Sequence, residues 1–132
     1  VNAPACSEGR SFRDNLKGET PRDWRQSMYY RYWTHHKIRP AHMGIRGHRY
    51  KLMFLYGDPL NATGSDKAPV TPSWEFYDLL ADPHENHNLY GSPTYAGEIE
   101  KMKRELLKLR REIGDTDAAN PRMQEIMDAY YW

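Results

Sequence analysis

The sequence predicts an α+β fold: a small four-stranded antiparallel sheet packed with one long C-terminal amphipathic helix. Two observations carry that expectation. Short aromatic and aliphatic runs separated by turn residues occupy residues 26–79. Beyond them Ile99, Met102, Leu106, Leu109 and Ile113 recur three and four residues apart, the spacing of one helix face. A chain of 132 residues is long enough for one domain with a real core, and aromatics at 13% supply bulk for it.

In chain order, residues 1–8 read as a linker. Within it Cys6, the single cysteine, excludes an internal disulfide framework and reads as a spectator. Ser11–Gly18 predicts one short helical turn, with Ser11 as cap and Gly18 as stop. The first strand is expected over Gln26–Trp33, where aromatics occupy both faces and neither is clearly the solvent side. Ala41–Arg46 and His48–Tyr56 are the second and third, joined by a tight turn at Arg46-Gly47-His48. In the third, Tyr50, Leu52, Phe54 and Tyr56 alternate with Lys51, Met53 and Leu55, which suits a central strand. Residues 57–73 form a long loop containing the sequon Asn61-Ala62-Thr63. Trp74–Leu79 is the fourth strand.

Asp82-Pro83-His84-Glu85 has the pattern of an N-cap followed by a capping box, so a short turn ending near Leu89 is expected. The long helix runs from Pro93 to Ile113, capped by Ser92 and stopped by Gly114. Its other face carries Glu98, Glu100, Lys101, Lys103, Arg104, Glu105, Lys108 and Arg111, read as solvated ion pairs. Residues 118–132 read as a C-terminal tail with a short helix from Pro121, capped by Asn120, to Tyr131. The sheet-and-helix unit is expected to span residues 9–117. So small a sheet leaves one face open, and aromatics there call for a partner surface.

Lys plus Arg is 19 and Asp plus Glu is 18, a net charge of +1, which argues against a general nucleic-acid binder and against an acidic disordered tail. No run approaches the length of a membrane span, and residues 1–10 lack the basic-then-apolar order of a signal peptide. With no initiator Met, the chain reads as a piece of something longer.

Chemistry-bearing residues are sparse. His35, His36 and His42 cluster with Arg39 between the first two strands; they could contact an anion, hold a metal or form an ordinary polar loop, and no standard zinc spacing is met. His84-Glu85-Asn86-His87 falls one residue short of a zinc-protease motif, and Asp78, Asp82, Asp115 and Asp117 sit where caps and turns favour Asp. Phosphate-loop and nucleophile-elbow motifs are absent. No catalytic residue and no metal site is assigned to this chain.

Several motifs nonetheless occur together in order: Gly9-Arg10-Ser11-Phe12, Leu16-Lys17-Gly18, Trp24-Arg25, Tyr29-Tyr30, His42-x-Gly44-Ile45-Arg46, Arg49-Tyr50-Lys51-Leu52, Trp74-Glu75-Phe76-Tyr77-Asp78-Leu79 and Asp82-Pro83-x-Glu85-x-x-Asn88-Leu89. In these the chain resembles the C-terminal subdomain of type I sulfatases of the alkaline-phosphatase superfamily, over about residues 9 to 117. It is most similar to bacterial N-sulfoglucosamine sulfohydrolase-like and N-acetylglucosamine-6-sulfatase-like enzymes. The resemblance implies a parent that hydrolyses sulfate esters of carbohydrates with a formylglycine nucleophile and Ca²⁺, both held by a separate N-terminal catalytic domain. Cys6-Ser7-Glu8-Gly9-Arg10 has Glu8 where the formylglycine motif needs Pro, so this fragment alone is expected to be inactive. The resemblance also implies that His42, His36, Arg39 and His35 line a substrate-pocket rim, with His42 the leading candidate, and that the parent is periplasmic or secreted. The alternatives are a stand-alone module that binds sulfated glycans, or a homodimer formed through the exposed sheet face.

Overall fold

The computed structural model describes Pro4 and residues 9–132; the expected linker with Cys6 otherwise lies outside the described residues. Four strands, β1 (Ser27–Tyr32), β2 (His42–Gly47), β3 (Tyr50–Leu55) and β4 (Ser73–Asp78), form one antiparallel sheet in the order β1-β2-β3-β4. The strand set matches expectation, with ends shifted by a residue or two. β3 is central, as its two largely apolar faces require.

The register sorts the side chains. Tyr29, Ile45, Leu52 and Phe76 lie in one cross-strand row, and Arg31, Met43, Phe54 and Trp74 in the next. Alternation puts both rows on one face. Rows Tyr30-Gly44-Met53-Glu75 and Tyr32-His42-Leu55-Ser73 take the other. The ambiguity of β1 is thereby resolved: Tyr29 and Arg31 face the core, and Met28, Tyr30 and Tyr32 face away.

Helix α1 (Ala96–Glu112) packs across β1, β2 and β3 after a 3₁₀ turn at Pro93–Tyr95. Ile99, Met102 and Leu106 join Met43, Ile45, Leu52, Phe54, Trp74 and Phe76 in one buried cluster, and every strand residue in it comes from the first face. The expected apolar stripe needs correction at its C-terminal end. Ile113 falls beyond the helix and is exposed, whereas Lys103 and Arg110 are buried. Lys103 therefore leaves the solvated face on which its position had placed it. The ion pairs expected on that face do form at Glu98–Lys101, Glu100–Arg104 and Glu105–Lys108.

Helix α2 (Pro121–Tyr130) starts as expected, with the Asn120 side chain accepting from the Met123 amide and Pro121 in the first turn. Residues 118–132 are not a tail, however. Met123, Ile126, Met127 and Tyr131 are buried in the same cluster as the sheet and α1. The physical reason is apolar periodicity: this stripe has no other surface to cover it.

Two local expectations change. The turn near the N-terminus contracts to a 3₁₀ segment, Asn15–Lys17, preceded by Asp14 rather than capped by Ser11; Gly18, at φ 84°, ends it. A turn does close at Asp82, where the Glu85 amide donates to the Asp82 carbonyl at 3.1 Å, but the capping box does not form. The Asp82 carboxylate instead accepts from the His87 amide at 2.8 Å, and Glu85, at φ 56°, reaches Lys51 Nζ at 2.5 Å. A capping box needs Glu85 to fold back on the Asp82 amide, and its ion pair to β3 draws it elsewhere.

Candidate functional site

The histidine-rich segment becomes the loop Trp33–Ala41 joining β1 to β2, and the structure separates its four candidate residues by role. His35 is completely buried. Its Nε2 lies 3.0 Å from the Ala68 carbonyl, and the Ala41 amide donates to its Nδ1 at 3.4 Å. A carbonyl only accepts, so Nε2 carries the proton and Nδ1 is the acceptor. Both nitrogens are committed to backbone, and His35 has none to offer a ligand. As a substrate contact it is corrected: it is a buried internal brace.

His36 and Arg39 pair through their backbones, with N···O distances of 3.1 and 2.9 Å. The His36 ring faces Asp66, with Nδ1 3.8 Å from the carboxylate. Asp66 also accepts from the Lys37 amide at 2.9 Å, and this bond, with His36 close by, holds its carboxyl below the usual range.

Arg39 is exposed, with its guanidinium 5.1 Å from the centre of the Tyr32 ring. Tyr32 in turn stacks on His42 at 5.5 Å, and Tyr30 meets His42 edge-on at 6.1 Å. These residues form a continuous ledge along the open face: cation, phenol, imidazole, phenol. His42 Nδ1 lies 2.8 Å from the Pro40 carbonyl, so this nitrogen carries the proton and Nε2 is left for a ligand. A neutral ring there accepts from a hydroxyl, and an imidazolium donates to an anionic oxygen.

Gly44 makes room for the ledge. A Cβ there would stand 2.6 Å from the Tyr30 ring and 2.8 Å from the Leu52 carbonyl, so the phenol lies flat across β2 only because position 44 has no side chain. The Tyr30 hydroxyl is buried without a hydrogen-bond partner among the described residues, and burial pushes it well above the ordinary phenol range.

The ledge offers a planar donor fork, a free imidazole nitrogen and flat rings, a set suited to an anionic, hydroxylated ligand. It contains no nucleophile–base pair. Among the described residues no three His, Cys, Asp or Glu side chains group to hold a metal ion. Sequence reasoning found Arg39 and His42 but missed Tyr30, Tyr32 and Asp66. The tyrosines join His42 only through the β1–β2 register, and Asp66 arrives from a distant loop.

Residues 1–112 match the family described as N-sulphoglucosamine sulphohydrolase, C-terminal. An N-acetylglucosamine-6-O-sulfatase of Bacteroides thetaiotaomicron is 31% identical over 122 residues, covering 89% of this chain and 20% of that protein. A structure solved in complex with its substrate D-glucosamine-2-N,6-O-disulfate matches with a TM-score of 0.69 at 29% identity, over 91% of this chain and 23% of that one. A phosphonate monoester hydrolase from Silicibacter pomeroyi shares the fold, with a TM-score of 0.55 at 22% identity over 80% of this chain and 21% of that one. The chain thus spans 20% of the length of the curated relative it matches.

Proposed function

Because the chain belongs to the N-sulphoglucosamine sulphohydrolase C-terminal family, we propose that it is the C-terminal part of a sulfatase that hydrolyses sulfate esters of carbohydrates. The observation that carries its local role is the Arg39–Tyr32–His42 ledge on the sheet face that neither helix covers. In this reading the chain supplies substrate-pocket rim and structural support, and an N-terminal catalytic domain supplies the chemistry. Arg39 donates charge-assisted hydrogen bonds to sulfate or carboxylate oxygens, His42 Nε2 meets the polar groups of the same ligand, and the tyrosine rings lie against the sugar. His36, held towards Asp66, adds a polar ring at the rim.

A formylglycine and Ca²⁺ belong to the same proposal for the parent enzyme. Residues of this chain do not fit either: Glu8 replaces the Pro that the modification motif needs, and the described residues offer no acidic metal cluster. In this reading the isolated chain does not hydrolyse sulfate esters by itself, and incubating it alone with a sulfated disaccharide tests this. Export of the parent to the periplasm or exterior rests on the family resemblance, and cell fractionation tests it.

The genomic sequence upstream of the Val1 codon is the direct test. An in-frame C/S-x-P-x-R supports the sulfatase reading; a start codon at or near Val1 replaces it with a stand-alone module that binds sulfated glycans. In the full-length enzyme, Arg39→Ala or His42→Ala should raise KM about tenfold, the scale of one lost charged hydrogen bond of ~1.5 kcal/mol. Unchanged kinetics would remove these residues from the site. The half-buried tyrosines also suit contact between two copies. Concentration-dependent sedimentation would reveal such a homodimer, and a monomer at every concentration would eliminate it.

A further inference from the structure

The loop Trp33–Ala41 is held more firmly than a strand connection requires. Its tip, Lys37-Ile38-Arg39, is exposed, and Ile38 is 97% accessible. Its base is bolted to the excursion Ala62–Ala68. The His35 amide donates to Ser65 Oγ at 2.9 Å, and the His35 carbonyl accepts from the Asp66 amide at 2.8 Å. The Lys37 amide donates to Asp66 Oδ2 at 2.9 Å, and the His35 ring bridges Ala68 and Ala41. A buried imidazole with both nitrogens bonded to backbone admits one ring orientation and one tautomer. An apolar residue would fill the same space but leave the Ala68 carbonyl and Ala41 amide without these partners.

We propose that His35, Ser65 and Asp66 are positioning residues for the sulfated substrate, a latch that holds Arg39 over Tyr32 before the ligand arrives. This inference rests on the sulfatase reading above. Ordering a long cationic side chain and its loop on binding is unfavourable, and a latch that orders them beforehand removes that loss from the binding step. The latch touches neither ligand nor reacting atoms. It acts through Arg39, whose backbone is paired to His36 between the bolted residues.

The test uses the full-length enzyme with D-glucosamine-2-N,6-O-disulfate as probe, through Asp66→Ala, Arg39→Ala and their double variant. Asp66 is half-exposed, with 51% of its side chain accessible, so Asp66→Ala keeps the fold. It should raise KM roughly threefold to tenfold, with kcat within about twofold. The double variant should bind no worse than Arg39→Ala alone, because the latch has nothing left to position. His35→Leu should act like Asp66→Ala, and His35→Gln, whose amide reaches towards Ala68, should restore part of the loss. Independent, multiplying effects of Asp66→Ala and Arg39→Ala on KM overturn the inference and leave the sulfatase reading standing, as does a fall in kcat at constant KM. A full-length protein that releases sulfate neither from this probe nor from heparin disaccharides overturns both.

Discussion

Lys103 shows how a single side chain departs from its place on a helical wheel. Counted along α1 it belongs with the charged face, yet it is 5% accessible. Trp74, Tyr90, Tyr131 and Trp132 surround its ammonium at 4.3 to 5.7 Å, and Nζ donates to the Tyr131 carbonyl at 2.5 Å. Cation–π contact replaces part of the lost hydration. Burial lowers the amine from 10.5 to about 8. Above pH 8 the folded chain therefore releases this proton while the unfolded chain keeps it, so stability rises with pH over that interval. Urea midpoints from pH 7.5 to 10 should climb for the wild type relative to Lys103→Met; parallel profiles would refute the assignment. His35 teaches the same lesson in reverse: an apparent ligand is an internal brace, because the chain closes over it.

At the scale of elements, the Asp82–Leu89 segment has a role that its capping pattern conceals. Asn88 Oδ1 accepts from the Phe76 amide and its Nδ2 donates to the Trp74 carbonyl, both at 3.0 Å, while the Leu89 amide donates to the Phe76 carbonyl at 2.8 Å. One side-chain amide thus imitates a neighbouring strand and covers the outer edge of β4. Asn88→Ala should destabilise the chain by about 1 kcal/mol, the scale of the net hydrogen bonds lost, measured by urea denaturation. An unchanged midpoint would mean that water satisfies that edge equally well. The strands and α1 were readable because their periodicities of two and 3.6 are written locally. Asn88 was not, because its partners lie in β4 and only the folded chain brings them within reach.

For the whole molecule, the last fifteen residues are decisive. The Trp74 indole donates to the Tyr130 carbonyl at 3.1 Å, and the Tyr131 hydroxyl to the Lys103 carbonyl at 2.6 Å. Ahead of them, Asp115 accepts from Tyr29 and from Arg31, and Asp117 accepts from Arg110, tying β1 to the end of α1. Burying Met123, Ile126, Met127 and Tyr131 contributes ~1.5–3 kcal/mol each, comparable in sum to the 5–15 kcal/mol that typically holds a domain folded. A chain ending at Asp117 should lose its cooperative thermal transition. A sharp transition in that truncated chain would show that the sheet and α1 stand without α2.

Composition, strand alternation, the stripe of α1 and the caps of α2 determined the fold class and the order of elements, because each is set by neighbours within a few residues. The ordered motifs determined the family by the same local legibility. Tertiary structure alone decided which face of β1 meets the core, that α2 belongs to that core, and that Arg39, Tyr32 and His42 share a ledge while His35 braces the loop beneath it. Those outcomes depend on register and on contacts between residues far apart in the chain, which no local pattern encodes.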